Sequence, residues 1–113
     1  MPTDADVLDR TFHALADRSR RSIVVRLSEG PASVSALAEP LEMSLPAVVQ
    51  HIEVLQKGGI VRSEKVGRVR TCRLEPGPMA EVEQWIAQHR QVWEQRFDRL
   101  GDVLKTTYGR EQK

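Results

Sequence analysis

Apolar residues recur along this chain at helical spacing, then briefly at strand spacing, then at helical spacing again. Val7, Leu8, Phe12 and Leu15 stand at i, i+1, i+5 and i+8, the stripe of a first helix over residues 5–16. Asp17 is placed to cap a second helix over 18–28, whose apolar residues are Ile23, Val24 and Leu27. Glu29-Gly30-Pro31 closes it, with glycine at the stop and proline beyond. Ser33 opens a short third helix carrying Val34, Leu37, Ala38 and Leu41. After Glu42-Met43, Ser44 caps a fourth helix that runs to about Lys57. Its Pro46 falls in the first turn, where a missing N–H costs little. Val48, Ile52 and Leu55 (i, i+4, i+7) point that helix inward, and Gly58-Gly59 ends it because glycine accepts the left-handed C-cap conformation.

The period then changes. Residues 60–65 and 68–74 are short runs with β-branched positions, separated by Val66-Gly67, the pattern of a β-hairpin. Pro76-Gly77-Pro78 reads as a break. From 79 to 108 a helical pattern returns with Val82, Trp85, Ile86, His89, Val92, Trp93, Phe97, Leu100, Val103 and Leu104, and residues 109–113 are expected to fray. Four helices, a hairpin and a long fifth helix predict a mainly α fold with a small β-hairpin. A short helix, tight turn and second helix followed by a basic hairpin describe a winged helix-turn-helix. The expected organisation is a single domain over 1–113. Within it, 1–17 is an N-terminal dimerisation helix, 18–75 a DNA-binding core with its wing at 60–74, and 78–108 a C-terminal dimerisation helix.

At 113 residues, 40% hydrophobic and 29% charged, the composition is that of an ordinary globular domain, and the net charge of +1 selects no partner. Its distribution does. Residues 1–17 hold four Asp against one Arg, a net of −3, whereas 57–73 hold six cations against one Glu, a net of +5. Over 18–29, Arg18, Arg20, Arg21 and Arg26 oppose only Glu29. Positive charge gathered into two segments is what a polyanion partner requires. No apolar run approaches the roughly 20 residues of a membrane span. The acidic start lacks a secretory core and the single cysteine makes no internal disulfide, so a cytoplasmic location is expected.

If Val48, Ile52 and Leu55 face the core, Ser44, Leu45, Pro46, Ala47, Val49 and Gln50 are left outward or flanking on the fourth helix. Leu45 and Val49 suit thymine methyl groups, and Gln50 has the geometry for a bidentate bond to adenine. Ser44 and the first-turn N–H groups suit a phosphate. His51 fits a structural or phosphate-contacting role better than a metal ligand. Lys65, Arg68 and Arg70 of the hairpin, with Arg18 and Arg20, are the candidate backbone contacts. The alternative is that these residues meet only water.

Two longer stretches carry a resemblance. FHALADRSRRSIVVRL is similar to a Leu-Ala-Asp-x-x-Arg-Arg opening, and SLPAVVQHIEVLQKGGIVRSEKVGRVRTCRL to a Ser-x-Pro-Ala-Val-x-x-His-Leu-x-x-Leu recognition helix, glycine break and wing. Together, over roughly residues 8–75, they resemble the ArsR family of bacterial winged-helix repressors. Trp85, Trp93 and Arg96-Phe97-Asp98-Arg99-Leu100 resemble a subgroup without metal sites. The resemblance implies a homodimer paired through the first and last helices that binds a pseudo-palindromic operator in double-stranded DNA and represses transcription. Val49 stands where the family pattern has serine, which bears on base preference. Arg18 stands where it has proline, which adds a cation.

Many members of that family sense metals through cysteines at the third helix or through Asp, His and Glu on the last. Here SVSALAEPL has neither Cys nor His, and His13, His51 and His89 fall on three different helices, so no metal or cofactor is expected. Cys72 shares strand parity with Leu74 and is expected to pack inward. The competing reading, a redox sensor, needs it exposed near Arg70 and Arg73.

The long helix carries more apolar surface than a core of this size covers. Phe12, Leu15, Trp85, Trp93, Phe97 and Leu100 are the expected dimer interface, against the alternative that the helix folds back on its own domain. No nucleophile–base pair, carboxylate pair or phosphate loop suggests an enzyme. The functional alternatives are a winged-helix module that binds protein, or a metal- or redox-responsive repressor of the same fold. No effector is assigned from the sequence.

Overall fold

The computed structural model describes residues 3–111, with side chains throughout except at positions 4 and 108–111. Each of the first four α-helices begins where a side chain meets free N–H groups. Thr3 caps α1 (Asp4–Leu15) in a reciprocal pair with Asp6: the Thr3 hydroxyl accepts from the Asp6 N–H at 3.2 Å, and Asp6 accepts from the Thr3 N–H at 3.1 Å. Asp17 accepts from the Arg20 N–H at 3.0 Å and starts α2 (Arg18–Leu27). Ser33 caps α3 (Val34–Ala38), which continues as a 3-10 turn over Glu39–Leu41. Glu42, the one non-glycine residue with positive φ among the described residues (52°), reverses the chain. Ser44 then caps α4 (Leu45–Lys57), with proline in its first turn.

The sheet has three strands, not the expected two. Besides β2 (Val61–Val66) and β3 (Val69–Leu74), a two-residue β1 (Ala32–Ser33) pairs antiparallel with β3, giving the order β1-β3-β2. Ala32 lies opposite Cys72 and Ser33 opposite Thr71. Two residues show no alternation, so the sequence pattern alone had no means of marking them. The hairpin closes at the Val66–Val69 pair, which puts Gly67 (φ 64°) and Arg68 at the tip, one residue beyond the expected Val66-Gly67 turn.

Pro76-Gly77-Pro78 does not interrupt the chain; it forms the first turn of α5 (Pro76–Glu111). The first N–H groups of a helix have no intrahelical partner, so proline removes nothing there. Residues 109–111, expected to fray, are helical, and 112–113 lie outside the described residues.

The core holds Ile23, Val24 and Leu27 of α2, Leu37 of α3, and Val48, Ile52 and Leu55 of α4, all as the periodicity indicated, joined by Ile60, Val61, Ala32 and Cys72. The two glycines after α4 have different tasks. Gly58 keeps a right-handed φ of −76°, and a Cβ on it would stand 3.1 Å from that of Ala14 and 3.3 Å from the Arg10 carbonyl, so it lets α1 and α4 touch. Gly59, at φ 75°, alone takes the left-handed conformation. Two compact units result, one ending at Val82 and one beginning at Glu83.

Candidate nucleic-acid interface

Helix α4 separates its faces sharply. Val48, Ile52 and Leu55 are buried, while Ser44, Leu45 (51% exposed), Pro46 and Gln50 are exposed and Ala47 and Val49 half-buried. The Ser44 hydroxyl accepts from the Ala47 N–H at 3.3 Å, which leaves its own proton available as a donor.

The fold brings this face to the wing. Leu45 and Val49 line one cleft of about 390 Å³ with Arg68, Val69 and Arg70, and with Ser33, Val34 and Ser35 at the start of α3. Val69, Ser33, Val34 and Ser35 are not among the expected contacts, because β1, which carries Ser33 beside β3, has no signal in the sequence pattern.

The wing cations fall into two sets. Arg73 meets Glu64 at 3.3 Å and Glu75 at 3.9 Å, and Arg62 reaches Glu75 at 4.0 Å. Lys65, Arg68 and Arg70 have no carboxylate within 4.0 Å among the described residues. Moreover, Lys65 and Arg70 are directly paired across the strands. Like charges so placed destabilise a hairpin, and an anion laid between them removes the repulsion.

Arg18 and Arg20, adjacent in the sequence expectation, have different surroundings. Arg18 is exposed at the start of α2. Arg20 turns inward: its Nε donates to the Ala14 carbonyl at 2.6 Å and its Nη2 to that of His13 at 3.2 Å. Arg21 donates to the Leu15 carbonyl at 2.8 Å. Two guanidinium groups thus take three successive carbonyls at the end of α1, of which that of His13 also accepts the Ala16 N–H at 3.2 Å. Arg20 Nη1 also lies 3.4 Å from His51 Nδ1, and that nitrogen is 3.8 Å from the Asp17 carboxylate. The Asp17 carboxyl is held below its ordinary range, first by the Arg20 backbone N–H and then by the charges of His51 and Arg20. Arg20 and His51, both expected at the nucleic acid, thus also link the end of α1 to α4.

Cys72 is fully buried, and burial pushes its thiol above the ordinary 9.0, against a smaller opposite pull from Arg70. Native protein at pH 8 is expected to react with Ellman's reagent at least tenfold more slowly than the same chain in denaturant. Equal rates would make the thiol accessible and revive a sensing role. No group of three or more His, Cys, Asp or Glu suited to a metal occurs among the described residues.

Among the expected dimer residues, Leu15 packs against the core of the first unit and Phe12 is 44% exposed. In the second unit, Trp85, His89 and Trp93 form one run of rings, with centroids 4.7 Å apart from Trp85 to His89 and 5.8 Å from His89 to Trp93. Beyond them Phe97 (68% exposed), Leu100, Val103 and Leu104 stand open along α5.

The family described as Helix-turn-helix domain matches residues 15–64. The HTH-type transcriptional regulator Rv2034 of Mycobacterium tuberculosis is 44% identical over 74 residues, covering 66% of this chain and 69% of that protein. The transcriptional repressor SmtB of the same species is 32% identical over 84 residues, covering 72% of this chain and 62% of the repressor. The crystal structure of the ArsR family transcriptional regulator RHA00566 superposes with a TM-score of 0.75 at 46% identity, covering 83% of this chain and 97% of that one. The homodimeric winged helix-turn-helix DNA-binding domain of Mb0332 from Mycobacterium bovis gives 0.63 at 26% identity, covering 77% and 83%. With the helix pair, the wing and these relatives in agreement, the chain belongs to the ArsR family of winged helix-turn-helix transcriptional regulators.

Proposed function

We propose that this protein is a sequence-specific repressor that binds a pseudo-palindromic operator in double-stranded DNA as a homodimer, acting in the cytoplasm and without catalysis. The observation that carries the reading is the cleft that Leu45 and Val49 line with Arg68 and Arg70, beside a cross-strand Lys65–Arg70 pair with no carboxylate within 4.0 Å among the described residues. In this arrangement α4 enters the major groove. Leu45 and Val49 meet thymine methyl groups, Gln50 reads adenine, and the Ser44 hydroxyl, at the start of the turn that holds Pro46 and Ala47, donates to a phosphate. The wing lies on the backbone or in the minor groove, and Arg18 adds a backbone contact. His51, braced by Arg20, sets the depth of α4.

A second copy covers the half-buried Trp85 and Trp93 and the exposed Phe97 and Leu100, and Phe12 joins that interface. It spaces two recognition helices about 34–36 Å apart, one DNA turn.

Selection of bound duplexes from a random pool, followed by a salt titration on the enriched sequence, tests the proposal. An inverted repeat is expected, with affinity falling at least about 10³-fold between roughly 50 and 200 mM salt if six or more phosphates are contacted. A pool without enrichment, or an affinity indifferent to salt, would instead indicate a protein partner for the same face.

A further inference from the structure

A separate concavity of about 480 Å³ is built by α2, α3 and the 3-10 turn, away from the wing residues. Its floor is apolar, formed by Val25, Leu37, Pro40 and Leu41. Val25, 66% exposed in the middle of α2, lies beside the shielded Leu37 in this lining. The rim holds Arg18, Arg21 and Arg26 against Glu29 alone, three cations to one anion, a net of +2.

That charge is uneven. Arg26 and Glu29 stand three residues apart at one end and offset each other, which leaves Arg18 and Arg21 one turn apart at the other. None of the three arginines has a carboxylate within 4.0 Å among the described residues. Arg21 gives one N–H to Leu15 and Arg26 one to Gly30, so each keeps further donors, and Arg18 keeps all of its own.

We propose that this cleft is a binding site for an amphipathic organic anion, a carboxylate or sulfonate attached to an apolar body. The head lies between Arg18 and Arg21, and the body lies over Val25, Leu37, Pro40 and Leu41. The volume falls within the roughly 300–1,000 Å³ of ordinary small-molecule sites. A bare inorganic anion leaves the floor wet, and a neutral hydrocarbon leaves two cations unmet. Only a molecule with both parts satisfies the whole surface.

The test uses 2-naphthoate, inorganic sulfate and full-length protein without DNA, so its outcome is separate from that of the operator experiment. Calorimetry is expected to show one saturable site per chain for 2-naphthoate. Amide shifts in NMR should centre on Ser22, Val25 and Leu41. Val25→Glu, which puts a like charge on the floor, and Arg18→Glu, which reverses the head contact, should each weaken binding about tenfold or more. Circular dichroism checks that both variants fold, as their exposed positions allow. Shifts centred on α5, an equal response to sulfate, or unchanged affinity in both variants would each overturn the site.

Discussion

Replacing Arg68 and Arg70 together by alanine is expected to weaken operator binding by about 10- to 100-fold near physiological salt and to flatten its salt dependence. Each neutralised phosphate contributes about 0.9 to the slope of log affinity against log salt. Two cations lost from each chain of a dimer therefore lower the slope by about three to four. The loss should be the same on every sequence, since backbone contacts position the protein without reading bases. The wing contains its own control. Arg62 and Arg73 lie on the same hairpin but already face Glu64 and Glu75. Arg62→Ala/Arg73→Ala removes as much positive charge yet frees two carboxylates rather than a DNA contact, and is expected to lose less than half as much affinity. If the two double variants bind equally poorly, the wing works through net charge alone and its contact residues are wrongly assigned.

The second large effect concerns stability. Arg20→Ala is expected to cost about 2–3 kcal/mol, because charged donors leave the His13 and Ala14 carbonyls at the end of α1 and the link to His51 is lost. For a domain of this size the melting temperature should fall by about 10–20 °C. Arg20→Lys should recover less than half, since an ammonium does not reproduce the fork that reaches two carbonyls and a ring nitrogen. A melting temperature within about 2 °C of wild type in Arg20→Ala would show the brace to be idle. Asp17 adds a dependence on acid. Its carboxyl is lowered from 3.8, so its contribution is present at neutral pH and lost as pH falls through the lowered value. Asp17→Asn should therefore be less stable at pH 7 and converge on wild type toward pH 2.

The chain announced its helices where local chemistry fixes them. Asp17, Ser33 and Ser44 each precede an apolar period and each caps a helix, and the inward residues of α2 and α4 followed from spacing alone. What it withheld depends on distance along the chain or on space. His51 and Arg20 are 31 residues apart, so the carbonyls and the imidazole that surround this arginine could not be read from a basic segment. Gly58 and Gly59 read as one helix stop, although the first is demanded by Ala14 across the α1–α4 contact and the second by its backbone angle. Pro76 and Pro78 looked like punctuation because proline stands both just past helix ends and in first turns, and only the turn they occupy distinguishes the two.

The short strand β1 makes one residue answer to two structures. Ser33 pairs with Thr71 of the wing while its hydroxyl accepts the Ala36 N–H that starts α3. Thr71 and Cys72 are thus geared to the first helix of the DNA-reading pair, and a strand turns over its whole set of side chains when its register slips by one. The hairpin tip has no such pairing to keep: a Cβ at Gly67 would meet nothing within 4 Å, and only its φ of 64° restricts what stands there. Length variation among wings of this kind therefore has a permitted place and a forbidden one. Residues inserted beside Gly67 extend the reach along DNA and leave the helix pair untouched, whereas a single residue inserted between Thr71 and Leu74 turns Cys72 out of the core and unseats α3 with it.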